Sequence, residues 1–264
     1  MSRMPAIFIG HGSPMNAITD NPYARAWRHL GEALPRPKAV LAISAHFYTR
    51  GTFVTAMAAP KTIHDFGGFP DELFAVQYPA LGSPALAQRV AALLDPMTVE
   101  LDRDAWGLDH GTWSILAHMY PEADIPVVQL SMDAGCPPQH HYDTGRRLSV
   151  LRDEGVLILA SGNIVHNLAR LQWDTPNEGA DWAVRFDALV ADAIVSRDHA
   201  ALVEYGHWGS DARMSVPTPE HYLPLLYVVA TQSEDDVVEF PVLGCSLGGL
   251  SMRSVCLRAN PDGR

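Results

Sequence analysis

The sequence predicts an α/β fold: a single domain spanning residues 1–264, with a central mostly parallel mixed sheet and helices on both faces. Three observations carry this. Short apolar runs rich in β-branched residues alternate with segments whose apolar residues recur at helical spacing, the pattern of successive strand-helix-strand units. No internal repeat, low-complexity tract or linker divides the chain, and 47% hydrophobic content is enough to build one large core. Several apolar runs also deliver a histidine near a glycine. This places reactive groups at the sheet edge where open α/β folds bind ligands.

The first run, Ile7-Phe8-Ile9, stops at Gly10-His11-Gly12, so a buried strand enters a sharp loop with His11 at its C-terminal end. The flanking glycines let backbone approach whatever His11 holds. Asn21-Pro22 has the form of an N-cap followed by proline at the first helical position, and Tyr23, Ala26, Trp27, Leu30 and Leu34 follow at helical spacing. Pro35 and Pro37 end that helix and feed a second strand, Ala39 to His46, expected to neighbour the first in parallel. Thr52 to Met57 is a further strand candidate. Lys61 to Pro70 lacks periodicity and is rich in glycine and aromatic residues, which suits a wall or lid over a site.

Ser83-Pro84 opens a helix with Leu86, Val90, Leu93 and Leu94 on one stripe. Trp106 to Trp113, with His110 beside Gly111, is a loop leading into a helical pattern through Leu116 and Met119. Pro126 to Ser131 reads as a buried strand, Tyr142 to Leu151 as an amphipathic helix, and Val156 to Asn163 as a strand that delivers His166 just past its end. Trp182, Phe186, Leu189, Val190, Ala193 and Ile194 trace another helix. Leu225 to Ala230 satisfies either helix or strand. Val237 to Phe240 and Leu250 to Leu257 read as closing strands, the last alternating as a half-exposed strand does.

A net charge of -11, from 19 basic and 30 acidic side chains, excludes a nucleic-acid or anionic-membrane surface. No segment has the form of a secretory signal, and no apolar run approaches the ~20 residues that span a bilayer, so a cytoplasmic protein is expected. Cys136, Cys245 and Cys256 are too few and scattered for a disulfide framework and are read as reduced. With 12 histidines against three cysteines, imidazole is the natural metal ligand.

Common catalytic motifs are absent: there is no His-Glu-x-x-His helix, no phosphate-binding loop with its lysine, no dinucleotide fingerprint and no Gly-x-Ser-x-Gly elbow. Ser13 and Ser161 therefore stand as weak nucleophile candidates. What is left is a mononuclear, mostly imidazole metal site gathered from distant strand ends, with His11, His46, His166 and His221 as candidates. Imidazole alone does not choose among zinc, copper, nickel and iron. Glu220 beside His221 offers a rival carboxylate ligand. A zinc-dependent hydrolase and a non-catalytic metal protein use the same residues.

Gly10-His11-Gly12-Ser13-Pro14-Met15-Asn16, Ser44-Ala45-His46, Thr62 to Pro70, Gly107-Leu108-Asp109-His110-Gly111, Gly162 to Asn167 and Thr218 to Pro224 together resemble the class III extradiol ring-cleavage dioxygenases, and within them the DOPA 4,5-dioxygenase-like branch. The resemblance implies a non-haem Fe(II) enzyme that opens a small catechol such as L-DOPA beside its hydroxyls with O2, with Zn(II) as another occupant of the site. It implies His11, His46 and His221 as metal ligands, His166 as fourth ligand or acid-base group, and His110 as a pocket histidine. Ser13, His64 and Asn163, in the same motifs, are candidate substrate contacts. In the wider superfamily the third ligand is often glutamate. Catechol and O2 are the expected partners, and the sequence specifies no oligomeric state.

Overall fold

The computed structural model describes residues 3–260. Its strands are Ala6–Gly10 (β1), Ala39–Thr49 (β2), Thr52–Thr55 (β3), Val99–Asp102 (β4), Val127–Asp133 (β5), Val156–Gly162 (β6), Asp236–Glu239 (β7), Cys245–Ser246 (β8), Leu250–Ser251 (β9) and Val255–Ala259 (β10). Its helices are Pro22–Ala33 (α1), Asp71–Phe74 (α2), Pro84–Leu94 (α3), His110–Met119 (α4), Pro138–Leu148 (α5), Asp181–Ser196 (α6), His199–Val203 (α7), Gly209–Ser215 (α8) and Leu223–Val229 (α9). Eight strands form one sheet in the order β4-β3-β5-β2-β6-β1-β10-β7. The central strands β5, β2, β6 and β1 are mutually parallel. β3 runs antiparallel to β5, and β10 antiparallel to β1 and β7.

The period-two alternation of a strand sorts its side chains into two cores. Phe8, Leu41, Ile43 and Ile158 pack with residues of α3, α6 and α9, whereas Ile7, Ile9, Val40 and Leu159 pack with Trp27 of α1 and Trp113 and Leu116 of α4. Helices thus cover both faces. Strands enclosed this way read as unbroken apolar runs, which is why they stand out in the sequence. Helix starts follow their capping residues: Asn21 Oδ1 accepts from Ala24 N at 2.9 Å, and Ser83 Oγ from Leu86 N at 3.2 Å.

Several elements differ from the sequence expectation. β1 and β2 are not neighbours, because β6 lies between them and pairs with both. Every residue of β6 is buried, and a run apolar on both faces suits the most enclosed place in the sheet. β2 does not stop at His46 but continues to Thr49, with a register shift between Ile43 and Tyr48, so His46 sits in a strand irregularity. The run Leu225 to Ala230 is helical: Leu225 to Val229 lie in α9, Ala230 caps its end, and Pro224 occupies the first turn. α5 begins at Pro138, ahead of Tyr142, and passes into a 3-10 turn at Ser149–Arg152.

The run Leu250 to Leu257 is divided. Leu250–Ser251 forms a small ribbon with Cys245–Ser246, while Val255, Cys256 and Leu257 enter the main sheet fully buried, not half exposed, between the two helical layers. At the edge where β1 begins, the guanidinium of Arg152 is bound to Asp236 and to the carbonyls of Met4, Thr231 and Leu257. Among the described residues no helix is long and apolar enough to cross a membrane.

Candidate metal centre

The opposite edge of the sheet gathers the histidines. His11 lies one residue past β1, where its N–H continues the parallel ladder to Gly162 O at 3.0 Å. Asn16 Nδ2 donates to its carbonyl at 2.9 Å, and its Nδ1 is 2.9 Å from Ser161 Oγ. Gly12 turns the chain away at φ +61, a conformation that costs glycine nothing. The backbone is thereby fixed around a buried ring whose Nε2 is left for the cavity.

His46 and His110 share one anchor. Asp65 Oδ2 lies 3.2 Å from His46 Nδ1 and 3.0 Å from His110 Nδ1, while Asp65 Oδ1 accepts the His110 backbone N–H at 2.9 Å. His110 opens α4 behind its cap Asp109. The start of that helix presses on β2 at Gly111, where a Cβ would collide with Ser44 Oγ and come within 3.0 Å of the His46 ring. Asp109, bonded by Gln129, is fully buried; burial, with the Asp65 charge adding, pushes its carboxyl up to about 6.

His221 and His166 come from the other side of β6. The His221 carbonyl accepts from Asn163 N at 2.9 Å, and its Nδ1 is 3.2 Å from Glu220 Oε1, which also accepts from Thr218 Oγ1 at 2.7 Å. His166, held by its backbone N–H to Ser215 O at 2.9 Å, stacks on His221 with ring centroids 3.5 Å apart and planes 3° from parallel.

The rings of His11, His46 and His221 form a nearly equilateral triangle, with centroid separations of 5.1, 5.4 and 5.2 Å. Three imidazoles on one tetrahedral ion, at bond lengths of about 2.0–2.1 Å, place their centroids about 5 Å apart and their nitrogens about 3.3 Å apart. His11 Nε2 and His46 Nε2 are 3.3 Å apart. His46 and His110 are closer, at 3.9 Å between centroids, because both hang from the same carboxylate oxygen. By distance between ligand atoms alone, His11, His46 and His110 lie within 4.8 Å of one another, and so do His166, Glu220 and His221.

Burial, and then the neighbouring imidazoles, hold His11 and His221 well below the ordinary histidine range. Burial and His110 bring His46 to about 3 against the opposing charge of Asp65, and burial brings His166 to about 4. Burial alone would raise the Asp65 carboxyl, yet the hydrogen bond and charge of His110, with His46, hold it below the usual carboxylate range. The rings of His11, His46, His166 and His221 are therefore neutral. Carboxylates at the Nδ1 of His46 and His221 fix the proton there and leave each Nε2 a lone pair, the tautomer and outer partner typical of metal-bound histidine. The donor set fits a metal.

A cavity of about 480 Å³ opens over these rings, lined by all five of these histidines together with Ser13, Asp65 and apolar side chains. Ser13 Oγ caps the turn Pro14–Ala17 by accepting from Met15 N. Two expected substrate contacts do not line it. The loop turns Asp65 and Phe66 inward but His64 away, where His64 Nε2 meets Val76 O at 2.9 Å and the ring packs near Phe66, Phe74 and Trp113. Asn163 is fully buried, its Nδ2 tied to Ser251 O at 2.8 Å. Conversely, the anchoring role of Asp65 has no sequence signal, because a carboxylate in an aperiodic loop shows no spacing to the rings it will meet.

Residues 5–254 match the family model described as the catalytic LigB subunit of aromatic ring-opening dioxygenase. The chain is 52% identical to the 4,5-DOPA dioxygenase extradiol of Escherichia coli K12, over 96% of this chain and 94% of that protein. It is 37% identical to the protein of the same name from Beta vulgaris, over 88% of each. A crystal structure of an uncharacterized protein from Escherichia coli K12 superposes with a TM-score of 0.85 at 47% identity, covering 96% of this chain and 99% of that one.

Proposed function

This chain belongs to the LigB family of aromatic ring-opening dioxygenases, and we propose that it opens a small catechol, L-DOPA among them, with O2 at a ferrous ion held by His11, His46 and His221. The observation that carries the ligand set is the 5.1–5.4 Å triangle of their rings. The relatives from Escherichia coli and Beta vulgaris are named for DOPA, which supports L-DOPA as a substrate. When bound, the ion gives both catechol oxygens and O2 one place to meet.

Everything else is the work of the chain. Ser161, Asp65 and Glu220 hold the three ligand rings at Nδ1 and keep Nε2 directed at the cavity. His166 lies face to face with His221, so the in-plane lone pairs of the two rings lie in separate parallel planes, which favours His166 as acid-base group over fourth ligand. As a neutral base it takes a proton from a catechol hydroxyl and returns it to the opening ring. His110, oriented by Asp65, flanks the same space. Phe66 and Phe69 line the cavity and exclude water from the reacting ring. The carbon–carbon bond beside the diol breaks, both oxygen atoms enter the product as an aldehyde and a carboxylic acid, and no reductant is consumed. Three free thiols suit the reducing cytoplasm, where we place the protein.

The test is anaerobic loading with Fe(II), then O2 and L-DOPA or another catechol, with products identified by mass and absorbance. A yellow semialdehyde carrying two added oxygen atoms is expected. A diacid from cleavage between the hydroxyls, or turnover only by zinc-loaded protein without O2, overturns the reading.

A further inference from the structure

The ring-cleavage reading leaves Asp109 without work. Its side chain is fully buried, together with the equally buried polar residues Ser44, Thr112, Gln129 and Ser161. Three neutral donors reach its carboxylate: Thr112 N at 3.2 Å, Gln129 Nε2 and the Ser44 hydroxyl. Gln129 Oε1 also accepts the Asp109 N–H at 3.3 Å, and Gln129 is itself held in β5 by Thr55 Oγ1, 2.8 Å from its backbone N. Capping α4 does not call for such a group. Asn21 and Ser83 cap α1 and α3 with neutral side chains, and a carboxylate taken out of water is costly without a charged partner.

What this carboxylate touches is the mounting of two rings. His46 sits in the irregularity of β2, where its backbone N–H turns to Ser44 Oγ at 3.2 Å. The Ser44 hydroxyl in turn donates to Asp109. From the same carboxylate Oδ1 takes the Thr112 N–H, in the first turn of α4, which begins with His110. Strand and helix meet here without clearance: a Cβ on Gly111 would collide with Ser44 Oγ and come within 3.0 Å of the His46 ring and 3.2 Å of Ser161 Oγ, the hydroxyl that faces His11 Nδ1.

We infer that Asp109 is a positioning residue of the metal centre: through Ser44 it fixes the backbone at His46, through the start of α4 it fixes His110, and it sets from behind the ring spacing that Asp65 sets at Nδ1. This rests on His46 as a ligand in the reading above. An anionic acceptor holds the Ser44 and Thr112 donors more tightly than a neutral one, and in a fully buried network no water replaces a lost partner. A metal site tolerates displacements of its ligands of only ~0.5 Å. A small relaxation of β2 at Ser44 therefore reaches the metal before it reaches the fold.

The experiment titrates metal-free, full-length protein with Co(II), whose visible bands report ligand number and geometry. Asp109→Asn keeps the volume and a helix cap but turns one acceptor into a donor facing the Gln129 amide, whereas Ser44→Ala removes only the link to His46. Each should weaken Co(II) binding ~10-fold or more and shift the bands. Ser83→Ala, which loses a cap at α3, should lower stability with affinity and bands unchanged. The double variant of Ser44→Ala with Asp109→Asn should bind no worse than the weaker single, since both cut one chain. Wild-type affinity and bands in Ser44→Ala overturn the inference, as do losses that multiply in the double variant. Ser44→Ala leaves Thr112 and Gln129 on Asp109, so it decides the matter even where Asp109→Asn does not fold. If His46→Ala binds Co(II) as tightly as the wild type, the ligand set is wrong and both readings fall; if His46→Ala loses the metal while Ser44→Ala and Asp109→Asn keep it unchanged, this inference alone falls.

Discussion

Two buried polar clusters sit at opposite edges of the same sheet and solve different problems. Where β1 begins, Arg152 and Asp236 are both fully buried side chains, and every guanidinium N–H has a partner: two go to the Asp236 carboxylate at 2.7 and 2.8 Å and the others to carbonyls of three separate segments. Where β1 ends, five histidine rings crowd together around one cavity, and partners within the chain hold the Nδ1 of His11, His46, His110 and His221. A buried group completed from within the chain is holding the fold together, whereas one completed only from outside is waiting for a ligand. The contrast makes separable predictions, because stability should reside at one edge and metal at the other.

The largest effects are expected at the histidine edge. His11→Ala, His46→Ala and His221→Ala should each remove the metal, measured by elemental analysis of purified protein, and with it ring cleavage. Thermal unfolding should change little, since these variants relieve the crowding of desolvated imidazoles. His166→Ala separates the two roles left to that residue. As an acid-base group its loss leaves metal in place and slows turnover ~100-fold or more, while loss of metal would make it a ligand. Full metal in all three ligand variants would dissolve the contrast between the edges.

The Arg152 edge should behave in reverse. Arg152→Met or Asp236→Asn leaves its buried partner unpaired and should cost about 3–5 kcal/mol of stability, while protein that remains folded keeps its metal. Burial alone would raise the Asp236 carboxyl, but the Arg152 hydrogen bond, with that from Ser233 N, holds it below the usual carboxylate range. Its contribution is therefore present above the unfolded value of about 4 and is lost as pH falls from there through the depressed folded value. In Asp236→Asn that acid limb of the stability curve should flatten. Metal loss at unchanged stability in these variants would mean that the two edges are coupled through the strands.

Between the extremes lies Asp65, whose carboxylate holds both His46 and His110 at Nδ1. Asp65→Asn keeps the volume but replaces an acceptor of two N–H groups by a side chain that is partly a donor. Metal affinity or turnover should fall 10–100-fold, the usual range for partners behind a metal-bound histidine. Unaltered affinity and turnover would show that the crowding of the rings, not Asp65, sets their orientation.

The sequence disclosed elements that burial writes locally and missed those fixed by pairing. β1, β2, β5 and β6 are apolar on both faces and announce themselves, as do α1 and α3 through Asn21-Pro22 and Ser83-Pro84. No local pattern says that β6 separates β1 from β2, because either order buries the same side chains. Val99–Asp102 is short, with exposed and half-buried positions, and gave no strand signal. α9 is buried at every position, so its period is invisible until tertiary packing selects it. The histidines were legible because glycines and strand ends frame them. Their acceptors were not, since Asp65 meets His46 and His110 only through the fold.

His64 is the subtlest test, because it shares a motif with Asp65 yet points the other way. His64 Nε2 lies 2.9 Å from Val76 O; since a carbonyl only accepts, Nε2 carries the proton and donates it there, and the ring buttresses Phe66, which lines the cavity. His64→Phe removes one hydrogen bond and keeps the aromatic bulk, so it should cost about 0.5–1.5 kcal/mol in unfolding experiments. Metal content should be unchanged, and any change in KM should be small and similar for every catechol, because the effect reaches the substrate only through the position of Phe66. A loss confined to one substrate would instead place His64 in direct contact with it. That result would mean the loop closes differently around a bound ring, and the boundary between the supporting layer and the site would have to be drawn one residue further out.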